Sequence, residues 1–329
     1  MMKADEDSRP LVGRDLKQVS CAGPRGWRVL GLCALAVCLA GLGGARTRAQ
    51  EDEGATRGLW DTAFGAGAKR TAPRRKPARR DYRNLTPRVP PRRVAPDAVV
   101  GVTVWRLRPS GAADAGERLL THEGAGTLSW IPERVPSDAP LAEGDRVRLS
   151  IEPARTGYLY VIDRELYADG TTGEPYLIFP TTRTLGGDNR VEAGRLIDLP
   201  AQDDSPPYFT LRRGRADQVG ESLQVLITKE PLEGLEIGAR AQRLPAAALA
   251  AWEKTWGGPA GRLELAGGAG RPWTKEEREA GADRRLKLKA DAPAPQTLYY
   301  RPGADPGQPL SVEVELRYAR GAARRPRRR

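Results

Sequence analysis

The chain has 329 residues and a formal charge of +12, with 39% hydrophobic and 29% charged residues. That length accommodates one large domain or two small ones with tails, and the hydrophobic share is enough for a sizeable core. All three cysteines, Cys21, Cys33 and Cys38, fall near the N-terminus, so the remaining chain carries neither a disulfide nor a thiolate metal site. The positive charge is unevenly placed. Eleven Lys/Arg face the single Asp81 between Lys69 and Arg93, and six Arg with no acid occupy Arg320 to Arg329. Residues 94–319 hold 28 basic and 33 acidic groups, a net of −5. The body is therefore acidic and the basic character belongs to two appendages, which removes the main support for a nucleic-acid binder.

In chain order, residues 1–28 are polar, and Val29 to Gly44 then runs apolar or small after Arg25 and Arg28. This order is that of a secretory signal peptide over 1–49, with an apolar core too short for the roughly 20 residues of a spanning helix. Thr47-Arg48-Ala49 offers the cleavage site, which makes Gln50 the expected mature N-terminus. Arg46 and Arg48 follow the apolar run, where positive charge hinders translocation, so an uncleaved N-terminal membrane anchor is the alternative. The long leader is also compatible with translation from a later non-Met codon such as that of Val19. Val37 stands where a lipobox before Cys38 has a small residue, and lipid attachment is set aside.

Residues 50–96 open with Glu51-Asp52-Glu53 and become rich in Arg, Pro and Ala, a composition that predicts a disordered linker. Within it Arg74, Arg75, Lys76, Arg79 and Arg80 are candidate polyanion contacts, as are Arg324, Arg325, Arg327, Arg328 and Arg329 in the tail 320–329. Both clusters suit the phosphates of an anionic envelope polymer, and the plainer reading is a solvated spacer. Trp60 and Phe64 are the residues of the linker able to dock on the body.

From Val99 the periodicity becomes that of strands. Val100, Val102 and Val104 share one face, with Thr103 and Trp105 on the other. Gly144 to Ile151 and Gly157 to Ile162 read as two paired strands joined by a turn at Pro153 to Gly157. In the first, Val147, Leu149 and Ile151 form a dry face, and Arg146, Arg148 and Ser150 a wet one. The second is apolar on both faces and belongs at the centre of a sheet. Further strands are expected at Tyr176 to Phe179, Arg195 to Leu199, Tyr208 to Leu211, Leu223 to Thr228, Thr297 to Tyr300 and Leu310 to Tyr318. A helix is expected over Pro245 to Trp256, ended by Gly257-Gly258-Pro259, and a second behind a Thr274 cap with Glu277. The fold class that follows is mainly β, a sandwich of immunoglobulin-like or jelly-roll-like kind over 97–319, with a helical insertion near 245–280 and disordered basic arms on both sides.

The Gly-Asp-Arg-Val-Arg-Leu strand at 144–149, Gly-Tyr-Leu-Tyr-Val at 157–161, Leu-Ile-Phe-Pro at 177–180 and Leu-Pro at 199–200 together resemble the bacterial family called domain of unknown function 4384. The resemblance covers about residues 97–231. Gly267-Gly268-Ala269-Gly270, Trp273-Thr274-Lys275-Glu276 and Pro295-Gln296-Thr297 resemble its longer, secreted form. It implies a β-rich module of secreted proteins, or one attached to signalling and protease-like domains, with no settled activity and with structural rather than catalytic motif residues.

Motifs that carry chemistry are few. His122 with Glu123 is the one histidine and could be a base or ligand only with carboxylates as company. Asp163, Glu165 and Asp169-Gly170 could hold a calcium ion, but their spacing matches no recognised loop. Ser129, Ser150 and Ser205 lie in no nucleophile elbow, and Gly267 to Gly270 lacks the Lys-Ser/Thr of a phosphate loop. Tyr158, Tyr160, Tyr167 and Tyr176 are either a glycan surface or sheet core and rim. Trp252 and Trp256 share a helical face that packs on the sheet. No catalytic residue, cofactor or metal site is assigned. The expected function is therefore an exported, non-enzymatic binding or assembly module of the cell envelope. Its expected partner is a protein or an anionic envelope polymer, and the alternatives are an envelope-acting hydrolase or a nucleic-acid binder.

Overall fold

The computed structural model describes residues 81–319, apart from 92–93, 113, 115–117, 124–125, 284, 289–291, 306 and some side chains of 120–126, together with Leu59, Ala63 and Phe64. The expected signal peptide and all ten candidate polyanion residues lie outside the described residues, as does the side chain of His122.

Among the described residues the chain forms strands β1 (Tyr82–Asn84), β2 (Val99–Pro109), β3 (Leu119–Glu123), β4 (Gly126–Val135), β5 (Arg146–Pro153), β6 (Gly157–Tyr167), β7 (Tyr176–Phe179) and β8 (Arg190–Val191). Strands β9 (Ile197–Leu199), β10 (Phe209–Thr210), β11 (Gln218–Thr228) and β12 (Gln242–Arg243) follow, then helix α1 (Ala246–Trp256) and β13 (Gly261–Leu265). Helix α2 (Lys275–Ala282), β14 (Thr297–Tyr300) and β15 (Leu310–Arg317) complete the order. The protein is mainly β, with two antiparallel sheets in a sandwich-like arrangement. In the first sheet β2 is flanked on one side by β5, which carries β9 and β10, and on the other by β14 and β4. The second runs β12-β7-β6-β11-β15, with β8 beside β6.

Period-2 patterning explains where the core sits. Val100, Val102 and Val104 of β2 and Val147, Leu149 and Ile151 of β5 meet Leu159 and Val161 of β6, Leu223, Val225 and Ile227 of β11 and Val312 and Val314 of β15. The main core thus lies between the sheets. Tyr160 and Ile162, on the other face of β6, pack with Leu226, Leu244 and Leu249 under α1. Trp252 and Trp256 stack there at 6.2 Å with 12° between their planes. Helix α2 starts with a reciprocal capping box, Glu277 N–H donating to Thr274 Oγ1 and Thr274 N–H to Glu277 Oε2, which satisfies two orphan donors of its first turn.

Four expectations change. The strands at 146–153 and 157–167 do not pair: β5 bonds to β2, β9 and β10, and β6 to β7, β8 and β11. The link at 154–156 therefore crosses between sheets, placing the dry face of each strand in the same core. Arg148 and Ser150 are also not on a wet face; both are buried, because α2 and the segments around Pro200 and Pro207 cover that side. The linker boundary at 97 is too late, since β1 pairs with β13 and Tyr82 packs with Leu59, Phe64, Leu263 and Tyr300. A few large apolar groups suffice to bring a polar segment into the fold. Finally, the two expected helices of 245–280 both form, but they are not a continuous insertion: β13 lies between them and belongs to the first sheet.

Candidate functional site

Three groupings have enough chemistry to be considered. The first is a buried cation layer on the outer face of the first sheet. The Arg148 guanidinium donates to Asp198 Oδ2 and the Pro200 carbonyl, each at 3.1 Å, and to the Pro207 carbonyl at 2.9 Å. Ser150 Oγ donates to Asp198 Oδ1 at 2.6 Å and accepts from Trp105 Nε1 at 2.7 Å. Burial pulls the Arg148 pKa down, and the Asp198 carboxylate opposes that shift. Arg134 pairs with Glu277 of α2 and donates to the Ala294 carbonyl at 2.8 Å, and it lies 5.2 Å from the Trp105 ring. Arg146 sits between the rings of Trp130 and Tyr208, at 4.2 and 4.8 Å. Arg134 and Arg148 are each paired with a carboxylate and hydrogen-bonded to backbone carbonyls, which is how a buried charge is tolerated. They tie α2 to the sheet.

The second grouping is a carboxyl cluster at one end of the inter-sheet core. Asp163 and Glu165 lie on one face of β6, and the antiparallel register sets Glu221 of β11 opposite Glu165. Asp169 is not with them: it sits in the following turn and accepts from Thr171 N–H and Oγ1. The three acids weighed as a calcium site are thus separated, and no group of three His, Cys, Asp or Glu able to hold a metal occurs among the described residues. Glu221 Oε1 accepts from Tyr318 Oη at 2.5 Å and Gln218 Nε2 at 2.9 Å, and the Tyr167 hydroxyl donates to Glu165. Asp163 Oδ1 and Glu221 Oε2 are shut off from solvent without a hydrogen-bond partner. Burial, reinforced by the neighbouring Asp163 charge, pushes Glu221 up to about 8. Burial also raises Asp163 to about 6. Glu221 was not legible as a site residue, since only the long-range register brings it to Glu165.

These raised values fix the sign of a pH effect. Between its ordinary value of 4.5 and about 8, Glu221 keeps its proton in the native state and loses it in the unfolded chain, so stability falls as pH rises. The contribution is complete below the unfolded value and gone above the folded one. Glu221→Gln keeps the shape and removes the ionisation, so urea unfolding at pH 5, 7 and 9 should show the variant gaining on the wild type as pH rises. The gain at pH 9 should be about 1–2 kcal/mol after discounting for partial solvent screening. A constant difference across the three pH values would contradict the assigned proton.

The third grouping is a cleft of about 440 Å³ at the mouth between the sheets, within the size range of ligand sites. Its floor and walls include Phe179 at the end of β7, Leu199 at the end of β9 with the following Pro200, and Tyr208 and Phe209 at β10. Residues 239–241 form another wall, and Arg183 and Arg240 bring two exposed cations to the lining. One acid of the lining, Asp204, is engaged: Oδ2 accepts from Thr184 Oγ1 at 2.6 Å and from Ala201 N–H at 2.9 Å. Arg183 holds the opposite wall by donating to the Ser205 carbonyl at 2.6 Å. The Phe179–Pro180, Leu199–Pro200 and Ser205–Pro206 peptides are cis, and all three contribute lining residues. The Phe-Pro and Leu-Pro segments prominent in the sequence therefore meet here.

Of the four tyrosines read as either a glycan surface or sheet core and rim, Tyr160 and Tyr167 are buried, and Tyr160 Oη accepts from Leu232 N–H at 2.8 Å. Only Tyr176 is well exposed. The four tyrosines do not form a common platform. Ser150 is bound into the cation layer, and Gly267 to Gly270 is a turn whose Gly270 N–H donates to the Arg134 carbonyl at 2.9 Å. Compared with protein-family profiles, with curated proteins and with solved structures, the chain matches none of them.

Proposed function

We propose that this chain is an exported, non-enzymatic binding module of the bacterial cell envelope, holding its partner in the cleft between the sheets. The observation that carries the reading is the cleft itself, an apolar floor with two exposed arginines in its lining. Apolar area supplies the driving force, and a few placed polar groups supply orientation. The charged, apolar and small-residue order of residues 25–49 supports export, as does the resemblance to modules of secreted proteins. The basic segments on either side add a sequence-independent attraction for anionic polymers.

The observation that favours a hydrolase is the pair of raised carboxyls, Asp163 and Glu221, since catalytic acids are tuned in this way. Their unpartnered oxygens are closed to solvent, and a general acid must reach the atom it protonates. The binding reading is therefore preferred.

The test has two parts. N-terminal analysis of the extracytoplasmic fraction should find a mature chain beginning at Gln50, and full-length protein in the cytosol would remove the export claim. A photo-crosslinking residue placed at Thr210, exposed in the cleft lining, should give a discrete adduct in living cells. The same residue at Lys254, exposed on α1 outside that lining, should not. Equal labelling from both positions would contradict the cleft as the binding site.

A further inference from the structure

We propose that the cleft takes an extended peptide segment in which an acidic residue stands beside an aliphatic or aromatic one. This rests on the reading of the cleft as a binding site and adds the class of ligand.

The first argument is charge. The lining brings two arginines against one aspartate, and that aspartate is occupied with Thr184 and Ala201. Arg183 uses one nitrogen on the Ser205 carbonyl. Arg240 has no ion-pair partner among the described residues and is exposed. A guanidinium in this state favours a carboxylate, which it can bind through two parallel N–H donors. The second argument is the floor, where Phe179, Leu199, Pro200 and Tyr208 offer apolar surface to a neighbouring side chain.

The third argument is backbone geometry. β10 is paired to β5 alone, through Phe209 opposite Val147 and Thr210 opposite Arg146. On the other sheet the β12–β7 ladder stops at Gln242 opposite Leu177. The residues beyond its end on both strands, Ile178, Phe179 and 239–241, line the cleft. The site is therefore bordered by the ends of strand ladders from both sheets. A chain in strand conformation fits such a border and places alternate side chains on the floor and toward the arginines. A helix bonds its backbone N–H and C=O groups internally and cannot extend such ladder ends.

The experiment is selection of a randomised dodecapeptide phage library on the chain from Gln50 to Arg329, wild type beside Arg183→Gln/Arg240→Gln. Fluorescence anisotropy of the enriched peptide on both proteins follows. Enriched sequences should place Asp or Glu within two residues of Leu, Ile, Val, Phe or Tyr. The double variant should bind the peptide about ten-fold or more weakly, in keeping with loss of charge-assisted hydrogen bonds. A Glu→Gln or Asp→Asn peptide should show the same loss on wild type. Because Arg183 also braces Ser205, Arg240→Gln alone is the second variant and should by itself weaken binding. No enrichment on wild type, enriched sequences without acids, or binding of the peptide by both variants as tight as by wild type would overturn the proposal. A lipid or glycan adduct at Thr210 in cells, with nothing selected from the library, would overturn the peptide assignment while leaving the binding module standing.

Discussion

Val314→Asp should abolish the cooperative unfolding transition of the body, or lower its midpoint so far that little native protein remains at 37 °C. Val314 is 1% exposed and lies opposite Leu223 in the β11–β15 ladder, within the core shared by both sheets. Placing a carboxylate there without a partner costs several kcal/mol, against the roughly 5–15 kcal/mol that holds a whole domain. Ionisation can be avoided only by a large rise in pKa, which is itself a loss of stability at neutral pH. The neighbouring Glu313 and Arg317 point to the other, exposed side of the strand, so the penalty belongs to the inward face alone. Circular dichroism melting checks it. An unchanged transition would mean that β15 does not complete the inter-sheet core.

What could be read from residues alone was local periodicity. Val100, Val102 and Val104, the two-faced β6 and the alternation of Val312, Val314 and Leu316 were all visible, and each lies in the core as its pattern implies. The Thr274 cap was visible because a capping box is written within four residues. Pairing was not visible. Nothing in Pro153 to Gly157 distinguishes a hairpin turn from a crossing between sheets, and the buried inward faces of β5 and β6 are satisfied by either. The β3–β4 hairpin was missed because Pro132, Glu133 and Arg134 interrupt the apolar alternation, and β13 because Gly-Arg-Leu-Glu-Leu is short.

The candidate sites followed the same division. Arg148 read as a wet-face residue because its partners, Asp198, Pro200 and Pro207, lie about fifty residues or more along the chain. Glu221 gave no local sign of its role. The cleft was half legible: the Phe-Pro and Leu-Pro segments stood out as motifs, but only the folded chain brings them together with Tyr208 and Arg240.

Replacing the ten cations Arg74, Arg75, Lys76, Arg79, Arg80, Arg324, Arg325, Arg327, Arg328 and Arg329 by Gln should remove most of the affinity for anionic envelope polymer at low salt. The two basic segments carry net charges of +10 and +6, whereas residues 94–319 sum to −5. Each phosphate neutralised releases counterions, so an engagement of six to ten contacts loses about 10³- to 10⁵-fold in affinity between 50 and 200 mM salt. The cleft contributes differently, since two arginines over an apolar floor give few charge contacts and a weak dependence on salt. The division of labour between the arms and the cleft is the centre of this account.

The most direct measurement of it is retention on isolated envelope polymer across a salt series, for the chain from Gln50 to Arg329 and its ten-cation variant side by side. Both keep the whole body, including Leu59 and Phe64, which pack against it. The account predicts strong retention of the wild type at 50 mM salt that collapses by 200 mM, and little retention of the variant at either. Equal retention of the two proteins would contradict it and place the polymer contact on the body.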